Sequence, residues 1–307
     1  MQHLRDESAN IHEAMEEAFQ IGRDAGGVPV VLSHHKVTGK DNWGQTHHTL
    51  RRFDEARRTQ PLAIDVYPYE ASSTVLKMDA ARRSTKVVVT WSKAMPEAAG
   101  QTLASLATDH FGCSEEDAAA QLQPAGAIYW TMDEDDVRRV LCHECSMIGT
   151  DGLPNDDVPH PRLFGSFPRV LGKYCRDEGL FSLETICRKM SAIPAETFGL
   201  AGAAGGSSVG CGASGRGTLV VGNCADIVVF APEHIGCDGA TYEEPTRLAN
   251  GVAFTIVNGE VVWRGGVGSG ANERGATGLR PGRHLRRQAL RAPMANWSPD
   301  VSRTALL

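Results

Sequence analysis

The sequence predicts an α/β protein: a parallel sheet wrapped by helices, followed by a smaller all-β domain. Three observations carry this. Helix-period and strand-like runs alternate through the first part of the chain, the order that a parallel sheet with helical crossovers requires. Two short apolar runs, ending in Val30-Val31-Leu32 and in Met147-Ile148-Gly149, are long enough for buried parallel strands, and each delivers an ionisable residue, His34 and Asp151, where it stops. Beyond a stretch rich in glycine, alanine and serine at 201–217, the pattern changes to short strands joined by an Asn-Gly turn.

Taken in order, Ile11, Met15, Ala18, Phe19 and Gly22 recur at helical spacing with Glu13, Glu16 and Glu17 turned outward, so residues near 8–24 form an amphipathic helix. The Val28–Leu32 strand follows, then a helix over 46–58. Pro61 to Tyr67 is a second buried strand, closed by Pro68 and a turn at Ser72-Ser73-Thr74. The rhythm breaks between 75 and 130, where a β-rich piece at 86–91 and helices near 101–110 and 115–121 stand in place of one crossover. This reads as an insertion of the kind that shapes pockets or lids. A helix over 133–142 has an acidic first turn that suits the helix dipole. The strand at 147–149, a proline-rich loop over 154–168, and helices around 169–176, 183–190 and 194–198 complete this part. The expected division is therefore 1–200 for the main domain, 201–217 for a linker, 218–270 for a small β domain and 271–307 for an irregular tail.

Composition narrows the function. With 307 residues and 41% apolar content the chain can bury a substantial core. A net charge of -6 without long runs argues against nucleic acid and for a small-molecule protein. No segment approaches the ~18 continuous apolar residues of a membrane span, and no secretory signal opens the chain, so a cytoplasmic location is expected. The eight cysteines are scattered, which makes reduced thiols the expectation. Cys142 and Cys145 form one isolated C-x-x-C, with no second pair to make a metal site.

His34 gains meaning from its company. Lys36 lies two residues on, Asp65 and Tyr67 come from the next strand, and Asp151 from a later one. Imidazole and carboxylate are ligands that zinc prefers, and an aspartate beside an activated water can act as general base. His3 precedes the first helix as a strand-end residue would, although nothing strand-like stands in front of it. His12, His47 and His48 fall on helices as surface residues, and His143 and His160 lie on loops from which they could approach the Asp151 strand.

Several motifs, in order, carry a family likeness: Val31-Leu32-Ser33-His34-His35-Lys36, Asp65-Val66-Tyr67-Pro68-Tyr69 with Ser72-Ser73-Thr74, Met147-Ile148-Gly149-Thr150-Asp151-Gly152-Leu153-Pro154, His160-Pro161-Arg162 and Phe167-Pro168-Arg169-Val170-Leu171-Gly172. The chain resembles the N-acyl-D-amino-acid deacylases (D-aminoacylases) of the amidohydrolase superfamily, from His3 to the Arg280-Pro281-Gly282-Arg283 tail. The resemblance implies strands five to eight of a zinc-dependent (β/α)8 barrel with a small β domain, hydrolysing the amide of N-acyl-D-amino acids. It implies His3, His34 and Asp151 as ligands to one or two zinc ions, with Asp151 also activating the water and later protonating the leaving amine. It implies Lys36, Tyr67, Ser73 and Thr74 as groups that hold the substrate carboxylate and its neighbours.

The family's early His-x-His pair and its metal-site cysteine have no counterpart here. Four strands alone would leave open edges and uncovered helix faces. A separate polypeptide supplying the first half-barrel is therefore one expectation, and a fragment of a split or frameshifted gene is another; in either case the isolated chain is expected to bind zinc weakly and to lack useful deacylase turnover. Two other functions stand beside the deacylase: a cyclic amidase like dihydroorotase or hydantoinase, and a non-catalytic half-barrel that acts by pairing.

Overall fold

The computed structural model describes residues 1–201, 215–265, 275–283 and 285. Most of the expected linker (202–214) and most of the expected tail lie outside the described residues. Helix α1 (Ile11–Asp24) buries Ile11, Ala14, Met15, Ala18, Phe19 and Gly22, the face that its periodicity predicts. A β-carbon on Gly22 would lie 2.6 Å from Val30 Cγ2, so glycine is what lets α1 press onto the first strand. That strand, β1 (Val30–Leu32), leads through α2 (Thr46–Arg57) to β2 (Leu62–Val66), and every residue of both strands is buried.

Strand β3 (Ala71–Val75), helix α3 (Met78–Arg82), β4 (Val87–Ser92), α4 (Leu103–Ser105), α5 (Glu115–Gln121) and β5 (Ala125–Trp130) come next. Helix α6 (Glu134–Cys142) is capped by Asp133, whose carboxylate accepts from the N–H groups of Asp135 and Asp136. It returns the chain to β6 (Ser146–Ile148), which pairs parallel with β2, as β2 does with β1. The buried sheet thus has the order β1-β2-β6, extended by a parallel bridge from Gln2 to Leu32. One face packs under α1, α2 and α6 in the main core. On the other, Val31, Ala63 and Met147 form a small cluster with Ile193.

Strands β3, β5 and β4 make a separate antiparallel sheet with its own core of Leu76, Val89, Leu103, Leu106, Leu122 and Tyr129. Helices α7 (Arg162–Arg169), α8 (Leu183–Met190) and α9 (Ala192–Thr197) follow β6, and α7 runs on as a π-helical stretch, Val170–Asp177. The last sheet is antiparallel, in the order β10-β9-β8-β7, from β7 (Ile227–Phe230), β8 (Val252–Val257), β9 (Glu260–Arg264) and β10 (Gly275–Ala276). Asn258 and Gly259 turn its hairpin with φ of 48° and 86°, the positive angles that a tight two-residue turn demands.

Three expectations need correcting. Ser72-Ser73-Thr74 is not a turn but the middle of β3, paired with β5, a strand hidden by its small residues Ala125, Gly126 and Ala127. The loop expected to run to Pro168 ends at Pro161, because Arg162 already begins α7 and Pro168 sits inside that helix. His3 does have strand-like backbone before it, supplied by Gln2 pairing with β1 rather than by an apolar run. The parallel sheet has three strands and one bridged residue, and no closed barrel is formed by the described residues. None of the described helices is long and apolar enough to cross a membrane.

Candidate active site

The strands of a parallel sheet all end on one edge, and here that edge gathers the ionisable groups. His3 directly follows the bridged Gln2, His34 lies two residues beyond β1, Asp65 and Tyr67 stand at the end of β2, and Asp151 lies three residues beyond β6. At His34 and Asp151 the backbone turns left-handed, with φ of 41° and 47°. Side chains other than glycine avoid that region, so strain is held at the two strand ends that deliver these groups.

The turn aims His34 back toward His3, placing Nε2 of one 2.5 Å from Nδ1 of the other, with ring centroids 4.6 Å apart. The second ring nitrogen of His34, Nδ1, lies 2.9 Å from Glu7 Oε1 and 2.6 Å from Lys36 Nζ. Lys36 donates to the same Glu7 oxygen at 2.7 Å and to the His34 carbonyl at 3.1 Å. The His34 backbone N–H donates to Asp65 Oδ1 at 2.9 Å, while Asp65 Oδ2 is buried without a hydrogen-bond partner. A β-carbon on Gly149 would lie 3.0 Å from Asp65 Oδ1, so the glycine after β6 makes room for this carboxylate.

Burial works against charge on Glu7, but the Lys36 ammonium and the hydrogen bonds from His34 and Lys36 prevail and hold its carboxyl at about 2. Burial likewise opposes charge on Lys36, and Glu7 outweighs it, so the lysine pKa is raised. Asp65 moves up because burial exceeds the help of the His34 N–H, and burial also raises Tyr67.

The Tyr67 hydroxyl is buried with no hydrogen-bond partner. Its ring lies between two cations, Lys36 Nζ 5.6 Å from the centroid and the Arg162 guanidinium 4.6 Å away. Arg162 is only 1% exposed: Nη1 forms an ion pair with Asp151 Oδ2 at 2.8 Å, and Nη2 donates to the Ser73 carbonyl at 3.1 Å. Its Nε has no partner.

The structure thus joins His3 to His34 and ties Lys36 and Tyr67 to them, whereas Asp151 takes Arg162 as its contact. Among the described residues, no group of three or more His, Cys, Asp or Glu side chains gathers as a metal cage. Ser73 faces inward on β3 with its hydroxyl donating to the Ala127 carbonyl at 3.3 Å, and Thr74 is exposed on the other face.

His160 does approach, with its ring 6.4 Å from that of Tyr67. Its Nε2 donates to the Ala71 carbonyl at 3.1 Å and Nδ1 accepts the Arg162 N–H at 3.0 Å, so the ring is neutral, as burial and the Arg162 charge also require. His143 does not approach: it sits before the start of β6, paired with Asp54 at 3.1 Å. His47 and His48 are exposed and His12 is half-buried. Cys142 and Cys145 are free thiols, and burial pushes Cys145 up to about 12.

Sequence reasoning missed Glu7 and Arg162 as site residues. They stand four residues after His3 and two after His160, and neither lies at a strand end, so strand-end logic could not select them. The assembled groups offer two converging imidazole nitrogens, a carboxylate fixed by an arginine, and two buried cations beside a free phenol. Imidazole nitrogens are of the kind that metals accept, and buried cations suit a bound anion.

The chain as a whole is similar to known proteins. A model of the Amidohydrolase family matches residues 9–263. A D-aminoacylase of Alcaligenes xylosoxydans xylosoxydans is 46% identical over 287 residues, 94% of this chain and 54% of that protein. A solved D-aminoacylase, described for one-metal activation and second-metal attenuation of its binuclear centre, is 44% identical with a TM-score of 0.82, over 93% of this chain and 55% of that one. The N-acyl-D-glutamate deacylase of Bordetella bronchiseptica, solved with zinc and a phosphonate mimic of the tetrahedral intermediate, is 44% identical with a TM-score of 0.77, over 85% and 52%. The chain spans about half the length of the relatives it matches.

Proposed function

Because the chain belongs to the amidohydrolase family, we propose that its strand-end cluster serves zinc-dependent hydrolysis of the amide bond of N-acyl-D-amino acids. The carrying observation is the approach of His3 Nδ1 and His34 Nε2 to each other, beside the buried cations Lys36 and Arg162. Imidazole nitrogens are donors that zinc accepts, so His3 and His34 would offer it two ligands and Asp151 a third. Zinc held there supplies polarisation of the scissile carbonyl and a lowered pKa for the attacking water.

The chain's own residues do the rest. Asp151, oriented by Arg162, takes the proton from the attacking water and returns it to the leaving amine. Lys36 and Tyr67 bind the substrate carboxylate, the lysine as a charged donor and the phenol through a hydroxyl that has no other partner. The unpartnered Nε of Arg162 adds a further donor nearby. Ser73 contributes through the carbonyl that holds Arg162, whereas Thr74, exposed on the opposite face of β3, is not brought to this cluster.

In this reading the Gln2–His3 segment, β1, β2 and β6 are strands five to eight of a (β/α)8 barrel. Residues 1–200 form its half, 75–130 an insertion at its mouth, and 218–270 the small β domain. The parallel order and the shared edge of ionisable groups support it. On the face of this sheet away from the main core, Val31, Ala63 and Met147 are buried and pack with Ile193.

The test is zinc content of the purified chain together with hydrolysis of N-acetyl-D-methionine, its L enantiomer and a cyclic-amide panel of dihydroorotate and hydantoin. Zinc above the level of a His3→Ala, His34→Ala variant is expected, with any hydrolysis selective for the D enantiomer. Zinc no higher than in a His3→Ala, His34→Ala variant, or hydrolysis of the cyclic amides alone, refutes the deacylase reading.

A further inference from the structure

His34 faces an ambiguity that its neighbours must resolve. A neutral imidazole carries one N–H and one lone pair, and Nδ1 lies within hydrogen-bond reach of both an acceptor and a donor, Glu7 Oε1 at 2.9 Å and Lys36 Nζ at 2.6 Å. If Nδ1 accepts from Lys36, the ring proton sits on Nε2 and points at His3. If Nδ1 donates to Glu7, Nε2 presents its lone pair beside Nδ1 of His3. Only the second arrangement leaves both facing nitrogens free to give electrons to a metal.

We propose that Glu7 is a positioning residue that links the metal position to the substrate position. By accepting Nδ1–H from His34 it lets Nε2 give up its lone pair, and this frees Lys36 from His34 to meet a substrate carboxylate. The imidazole holds one proton in both arrangements, so the exchange moves a proton from Nε2 to Nδ1 without changing the charge of the ring. The site is built for it: a single oxygen, Oε1, receives both Lys36 and His34. Lys36 keeps its bonds to Glu7 and to the His34 carbonyl when it releases the ring, so the release leaves no buried charge unpaired. Lys36 Nζ also lies 5.6 Å from the centroid of the Tyr67 ring, whose hydroxyl has no partner.

This inference rests on the zinc reading above, but its first test does not need zinc. Nitrogen-15 NMR of the histidine rings reports which nitrogen of His34 carries hydrogen. In the metal-free parental chain Lys36 competes for Nδ1. In Lys36→Met Glu7 is its one remaining partner, so the Nδ1–H form is expected to dominate. In Glu7→Leu the Nε2–H form is expected. The same tautomer mixture in all three, with unchanged melting profiles, overturns the proposal.

Zinc titration by calorimetry then reads the coupling. Glu7→Leu is expected to bind zinc ~10–100-fold more weakly, as loss of a group behind a ligating histidine generally does, and Glu7→Gln, which keeps an acceptor oxygen, to recover part of that. Zinc is also expected to tighten binding of N-acetyl-D-methionine in the parental chain but not in Glu7→Leu. Zinc affinity equal within twofold in the parental chain and Glu7→Leu removes the role of Glu7 alone. A parental chain that binds no zinc, while the NMR pattern holds, removes the metal reading instead.

Discussion

Two buried lysines sit at opposite ends of the same parallel sheet, and their fates differ. Lys36, beyond the end of β1, has Glu7 against it at 2.7 Å and its pKa is raised. Lys189, on α8, reaches the start of β6, where it donates to Ser146 Oγ at 2.9 Å and to the His143 carbonyl; burial, the largest effect, lowers it to about 8. The two lysines are 9% and 2% exposed, so burial alone cannot set the sign. The difference is the counter-charge: a carboxylate compensates a buried ammonium, whereas a carbonyl and a hydroxyl do so incompletely. The edge where strands end is thus built to keep charges, and the edge where they begin is built to hold a structural tie. The same contrast appears in the backbone, since left-handed residues stand after β1 and β6 at the first edge.

The sharpest way to break this comparison is at Asp151. Asp151→Asn is expected to lower turnover of N-acetyl-D-methionine ~10²–10⁴-fold, the usual effect of losing a general base, with a lower melting temperature because buried Arg162 loses its counter-charge. An equal loss in Lys189→Met would show that the two edges are not functionally distinct.

Glu7 comes next. Its carboxyl is depressed in the folded chain, so the stability it contributes is present above its ordinary value near 4.5 and is lost as pH falls through about 2. The contribution is on the order of 3 kcal/mol. Denaturant midpoints measured from pH 5 to pH 2 should fall more steeply for the parental chain than for Glu7→Gln; parallel profiles would discount the pairing with Lys36.

Lys36→Met removes a charge-assisted hydrogen bond to the substrate carboxylate and should raise KM ~10–100-fold, with a smaller effect on kcat. A change confined to kcat would move Lys36 out of the substrate pocket.

Lys189 should matter least for turnover and most clearly for pH. Its pKa is lowered on folding, so the unfolded chain binds more protons between about 8 and 10.5, and stability must rise with pH across that window. In Lys189→Met this rise disappears, and melting at pH 7 is no lower than in the parental chain. Ser146 Oγ and the His143 carbonyl keep each other as partners at 2.9 Å. A large loss of stability at pH 7 would mean that the tie outweighs the cost of burying the charge.

The sequence alone determined the alternation of helices and parallel strands, since apolar periodicity records burial directly: α1, α2, α6, β1, β2 and β6 lie where their patterns place them. It also marked His34 and Asp151, because an ionisable group at the end of a buried run is legible without knowing its neighbours. Strand β5 was not legible, since Ala125, Gly126 and Ala127 carry no strand preference and are held by pairing with β3 and β4 on either side.

Only the tertiary structure decided which groups meet. Glu7 and Lys36 are 29 positions apart and share an oxygen with His34, and Arg162 reaches back 89 positions to Ser73 while gripping Asp151. Those choices depend on strand register, left-handed turns and the exclusion of water around a buried charge. Such effects have no period along the chain, because they arise from what surrounds a residue rather than from what precedes and follows it.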